Sequence, residues 1–165
     1  MENQINSADD TGQTFEDAEL FVSSLPNPGA LIGIDAGTKT LGLALSDGHR
    51  MIASPLETIR RTKFAKDAER LVSLIEAHDV KGLVLGLPRN LDGAEGPRAQ
   101  STRALSRNLN RLIPLPILLW DERLTTSQAE RMLIEADQSR KRRAEVIDKL
   151  AATLILQGAL DRLNN

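Results

Sequence analysis

Residues 31–47 constrain this chain more than any other stretch. Leu31-Ile32-Gly33-Ile34-Asp35 is an apolar run that ends in an acid, and a Gly37-Thr38-Lys39 turn follows it. A second apolar run, Leu41 to Leu45, closes on Ser46-Asp47. Two apolar runs joined by a glycine turn read as paired strands. Asp35 then sits where the first strand ends, beside backbone thinned by Gly33, Gly37 and Gly42. A carboxylate placed there can hold a divalent ion, and bare glycine backbone lets a phosphate come close.

The rest of the chain reads as alternating helices and strands. Asp47-Gly48 is a hairpin signal, so Met51 to Ile59 forms a third antiparallel strand. Ala65, Ala68, Leu71, Val72 and Ile75 recur at helical spacing over residues 62–78. Gly82 to Leu87 and Leu115 to Trp120 are short, nearly all-apolar runs flanked by helices, the pattern of buried parallel strands. Arg98 to Leu112 is a helix between them. Thr125 and Gln128 have capping-box spacing, and Ala129, Met132, Leu133 and Ala136 give the helix they open an apolar face. Asp137 to Arg143 reads as a basic connection to a last helix, Ala144 to Leu160. This order predicts an α/β fold: a mixed five-stranded sheet with helices on both faces.

Composition narrows the chemistry. The chain of 165 residues fits one domain and contains no cysteine, which removes disulfides and thiolate metal sites and fits a reducing cytosol. No apolar run is long enough to span a bilayer, and the N-terminus lacks a signal pattern, so the expected location is the cytoplasm, away from membranes. Residues 1–29 carry six acids and no Lys or Arg, which leaves 21 basic against 17 acidic residues in the remainder. Residues 1–29 therefore read as an acidic, mostly disordered extension, and 30–165 as the folded domain. Phe15, Leu20, Phe21, Val22 and Leu25 would suit a short docking helix, but a solvated tail is the simpler reading. The mild basic excess of the body suits a polyanionic partner.

Four acids at three places stand out: Asp35 at one strand end, Asp121-Glu122 at another, and Asp148 among Ala151, Ala152 and Ile155 in the last helix. An acid beside a buried stripe is costly unless it is paired or holds a cation. If the first and last strands are neighbours, two carboxylates lie side by side at one sheet edge, and Asp148 adds a third from across it. Oxygen ligands without Cys, and with only His49 and His78 available, favour Mg²⁺ or Mn²⁺ over zinc. Carboxylates gathered on such ions cleave phosphodiesters. Each acid also has a plainer reading, as a turn former, a helix entry or half of an ion pair. Lys39 and Arg123, close in sequence to these acids, either meet a phosphate or only neutralise them. Arg103, Arg107 and Arg111 make a basic stripe, and Arg140, Lys141, Arg142 and Arg143 a second patch; both suit phosphate contacts.

Four segments together resemble the YqgF family of pre-16S rRNA nucleases, also described as Holliday-junction-resolvase-like. They are Gly33 to Lys39 with Ser46-Asp47; Gly86-Leu87-Pro88 with Asp92-Gly93 and Gly96-Pro97; Asp121 to Thr126; and Ile147 to Ala152 with Leu154 to Gln157. The resemblance spans about residues 31–160. It implies an RNase H-like fold and a metal-dependent endonuclease that trims the 5′ end of pre-16S rRNA within the pre-ribosome. It also implies that Asp35, Asp121, Glu122 and Asp148 match the family's active site, with Asp35, Glu122 and Asp148 as metal ligands. Related junction resolvases place a glutamate where this chain has Leu87-Pro88. Asp121 and Glu122 are the acids at hand to replace it, and the resemblance leaves the choice between them open.

Three other readings compete. One is the same chemistry on branched DNA, which needs a symmetric dimer that the apolar faces do not reveal. Another is a non-catalytic ribosome-assembly factor that binds RNA through its basic patches. The third is kinase-like phosphate handling by the Asp-x-Gly-Thr turn, which needs two such domains where 165 residues make one.

Overall fold

A computed structural model describes residues 12–124 and 140–164, with side chains described for 12–123 and 149–164. The strands are β1 (Thr14–Phe15), β2 (Ala30–Ala36), β3 (Thr40–Ser46), β4 (Ala53–Arg60), β5 (Val80–Leu87) and β6 (Ile117–Asp121). The helices are α1 (Ala18–Ser23), α2 (Phe64–His78), α3 (Pro97–Leu112) and α4 (Arg140–Leu163). Among the described residues they build a six-stranded mixed sheet in the order β1-β6-β5-β2-β3-β4. β2, β3 and β4 form the antiparallel meander, while β1, β6, β5 and β2 run parallel. The expected mixed α/β fold is present, with one strand more than the five read from the sequence. The helix opened by Thr125 falls outside the described residues. No helix among the described residues is long and apolar enough to cross a membrane.

Strand alternation assigns each face its core. Ile32, Ile34, Leu83, Leu85, Ile117 and Leu119 point to one side and pack with Leu71 and Leu74 of α2 and Leu105 and Leu109 of α3. Leu31, Ala44, Val84 and Leu118 point to the other, against Phe21 of α1 and Ile155, Leu156 and Ala159 of α4. Both faces of the central strands are covered, which is why they read as continuous apolar runs.

α4 lies almost on the sheet backbone. A Cβ on Gly33 would come within 2.7 Å of Leu156 Cβ, and one on Gly86 within 2.6 Å of Ile155 Cδ1. The bare backbone at these two positions is what allows the approach. α4 starts at Arg140, so Arg140 to Arg143 form its first turn rather than the connection expected from their charge.

The N-terminal boundary also moves. Residues 12–29, set aside above with the acidic extension, belong to the body. Thr14 and Phe15 pair in parallel with Ile117 and Leu118. Asp17 caps α1 by accepting from the Glu19 and Leu20 amides at 2.8 and 3.2 Å. Phe21 is 0% exposed, and its ring meets Phe15 edge-to-face at 6.1 Å. Its burial contributes about 2–3 kcal/mol, enough to hold a short segment whose composition favours solvent. Phe21→Ala should therefore cost about 3–4 kcal/mol in urea denaturation. A detached extension would register no loss.

Candidate active site

β2, β5 and β6 are parallel, so their C-terminal ends, at Ala36, Leu87 and Asp121, lie along one edge of the sheet. That edge carries the candidate acids. The first and last strands are not neighbours, however. β5 stands between them, pairing Ile34 with Leu85 on one side and Leu87 with Asp121 on the other. Asp35 and the β6 acids are therefore separated by a full strand.

Gly86 closes that gap. Leu31, Gly33 and Asp35 share the α4 face of β2, and Val84 and Gly86 share the same face of β5. A Cβ on Gly86 would lie 2.8 Å from Glu122 Oε2 and 3.0 Å from Glu122 Cγ. The Glu122 side chain, carried by the 3₁₀ turn Glu122–Leu124 after β6, thus lies over bare backbone. It reaches back across β5 on the side that bears Asp35. Burial, and next the Asp35 charge, push its carboxyl up to about 7, with Asp121 adding to the rise and Arg98 opposing it.

Asp121 has a different environment. By alternation it falls with Ile117 and Leu119, on the opposite face of β6 from Glu122's partner Gly86. The Arg123 guanidinium grips it, with Nη2 2.7 Å from Oδ2 and Nε 3.1 Å from both carboxylate oxygens. The Arg123 amide donates to Oδ1 at 3.0 Å. These contacts hold the Asp121 carboxyl below the ordinary range. Arg123 Nη1 also donates to the Leu91 carbonyl at 3.4 Å, tying the loop after β5 to the end of β6. The ion pair that is one of the two readings of Arg123 is present.

Asp148 lies on α4 one turn before Ala152, whose carbonyl sits over Gly33. Its side chain, with those of Arg140, Lys141, Arg142 and Arg143, falls outside the described residues. Lys39 is exposed on the β2–β3 turn, and Arg107 is exposed on α3. Arg103 is committed elsewhere. Its guanidinium donates to Glu95 at 2.6 and 2.7 Å and to Glu16 at 3.0 and 3.3 Å, which raises its pKa further and lowers that of Glu95. The stripe read as a phosphate contact is, at Arg103, an internal ion pair that ties the N-terminal segment to α3.

Two contributors were missed by sequence reasoning. Arg98 donates to the Ala36 carbonyl at 3.2 Å and places positive charge near Glu122. Its signal was Gly96-Pro97, which marks a helix start and puts Arg98 in the first turn beside the loop leaving β5. Gly86 was signalled by alternation within the run Gly82 to Leu87.

The donor set suits a hard cation. Asp35 and Glu122 bring oxygen ligands together, and a cation would relieve the repulsion that raises Glu122. His49 and His78 lie at the other end of the sheet, after β3 and before β5. Among the described residues no three His, Asp or Glu side chains gather.

Comparison with known proteins identifies relatives of the whole chain. A model of the RuvX family, described as Holliday junction resolvase, matches residues 29–162. A protein of Paracoccus denitrificans named "Putative pre-16S rRNA nuclease" is 64% identical over 148 residues, 90% of this chain and 94% of its own length. A protein of the same name from Cereibacter sphaeroides is 64% identical over 149 residues, 90% of this chain and 93% of its own length. The fold is similar to that of T. thermophilus RuvC, solved in complex with a Holliday junction substrate. The TM-score is 0.53 at 13% identity, over 83% of this chain and 97% of that one.

The electrostatics are testable without any ligand. In a carboxyl NMR titration Glu122 should be half-protonated near pH 7. Asp35→Asn should lower that midpoint by removing a like charge, and Arg98→Ala should raise it. Between the ordinary glutamate range and about 7 the folded chain binds more protons than the unfolded one, so stability falls as pH rises through this window. Glu122→Gln should remove that slope, and above pH 7 should leave the metal-free protein more stable by on the order of 1–2 kcal/mol after solvent screening.

Proposed function

The chain belongs to the RuvX family, and on that premise we propose that it is a metal-dependent endonuclease that processes the 5′ end of pre-16S rRNA in the cytoplasm. The observation that carries this reading is the meeting of Asp35 and Glu122 over Gly86, at the C-terminal edge of the parallel strands. The relatives' name supplies the substrate class.

Asp35 and Glu122 would hold Mg²⁺ or Mn²⁺, with Asp148 of α4 as the third ligand. Such an ion, when bound, would activate water for attack on the phosphodiester and stabilise charge on the leaving oxygen. The protein's own part is to fix the carboxylates. β2 sets Asp35, the Asp121–Arg123 pair sets the turn that carries Glu122, and α4 roofs the edge. Asp121 thus serves as a positioning residue, and Glu122 as the ligand from that pair. Lys39, exposed on the β2–β3 turn, would meet a substrate phosphate.

The family description favours one second reading, cleavage of four-way DNA junctions by the same site. Incubating the protein with Mn²⁺ and either pre-16S RNA or a DNA junction separates them. Cutting of the RNA alone is expected, and cutting of the junction alone would overturn the substrate assignment. Asp35→Asn and Glu122→Gln should each reduce metal-dependent cleavage by about 10³-fold or more while leaving RNA affinity within about threefold. Asp121→Asn should lose about tenfold or less and keep its dependence on metal concentration. Full activity in Asp35→Asn would sink the proposed site.

A further inference from the structure

We propose that the cavity between the β2–β3 turn and the start of α3 binds a backbone phosphate of the nucleic-acid strand, next to the one that is cut. This rests on the nuclease reading above and adds a substrate subsite to it. The cavity holds about 250 Å³ and is lined in part by Gly37, Thr38, Arg61, Pro97, Arg98 and Ser101. None of its lining residues is an acid.

Two arginines define it. Arg61 reaches it from the link between β4 and α2, where its amide donates to the Lys39 carbonyl at 2.8 Å and its Nη1 to the Gly37 carbonyl. Arg98 reaches it from α3 and donates to the Ala36 carbonyl. Each guanidinium has five N–H donors, so one backbone contact fixes its position and leaves others for a ligand. Among the described residues neither enters an ion pair, whereas Arg89, Arg103 and Arg123 each do. The first turn of α3 carries no acid and no side-chain cap, so nothing in it offsets the arginine charge.

The location gives this charge a purpose. Ala36 and Gly37, the residues held by the two arginines, directly follow Asp35. A polyanion approaching Asp35 and Glu122 meets carboxylates that repel it. A cationic cavity one step along the edge gives the strand an anchor, and fixes where the scissile phosphate lies relative to the carboxylates.

The test uses the full chain and a labelled stem-loop RNA without divalent metal, so that binding is read without turnover. Ser101→Glu puts an acid into the cavity and should weaken binding about tenfold, while Gln100→Glu, on the same turn but outside the cavity, should weaken it less than about threefold. Both sites are exposed and lie near a helix N-terminus, where an added acid does not threaten folding. Arg98→Gln should reduce the salt slope of log K by about 1. Equal losses for the two glutamate variants, or an unchanged slope, would overturn the subsite and leave the carboxylate site standing. Absence of metal-dependent cleavage by the unaltered chain, measured in parallel, would overturn the nuclease reading itself.

Discussion

The site depends on a contact that a side chain at residue 86 would forbid. β5 lies between the strands that carry Asp35 and Glu122, and any Cβ at Gly86 would strike both Glu122 and Ile155. The absent side chain therefore does two things at once. It lets Glu122 fold back across β5, and it lets α4 settle onto the sheet. Gly33 does the second of these again on β2, against Leu156. The helix that completes the core on this face is the same one that carries Asp148. Packing and site geometry are thus set together, by the close approach of side chains to bare sheet backbone.

The two adjacent acids after β6 show how environment assigns roles. Asp121 is held by a bidentate guanidinium and stays ionised, at the service of the turn. Glu122, one residue on, lies on the other face, where burial and the charge of Asp35 disfavour its ionised form. The protein tolerates this at the cost of some stability, and binding a cation would recover it. Asp121 ends β6 on one face, and the 3₁₀ turn that begins at Glu122 carries the next side chain to the other.

That separation explains what was legible in the sequence. The strand ends and the periodicities of α2 and α3 are local, and they were legible in residue types. Strand order is not local. Asp35 and Glu122 look like neighbours if β2 and β6 pair, and nothing in either segment says that β5 intervenes. Arg103 looked like a free cation because Glu95 precedes its helix and Glu16 lies 87 positions away, in a segment discounted for its acidity. That segment was misjudged for the same reason: composition registers six acids in residues 1–29, but a single buried aromatic, Phe21, is enough to dock it. Arg98 drew no notice because no acid adjoins it in sequence; its charge acts through space on Glu122.

The arginines finally give the sheet edge a polarity. On the β6 side Arg89, Arg103 and Arg123 are paired with Glu16, Glu95 and Asp121. The neighbouring cavity there, about 450 Å³, is lined by Glu16, Asp17, Glu19 and Asp121 with only Arg89 and Arg162 to offset them. On the β3 side Arg61 and Arg98 line a cavity that no acid lines, and Arg98 acts on Glu122 through space. A polyanion crossing the carboxylates would be repelled on the first side and attracted on the second, because guanidinium groups in close ion pairs present less field than those without one. The N-terminal segment contributes to this asymmetry directly. By bringing Glu16 to Arg89 and Arg103 it spends two cations that would otherwise have drawn a strand toward β6. The acidity that made residues 12–29 look like a mere tail is, in the folded chain, part of what orients the basic face.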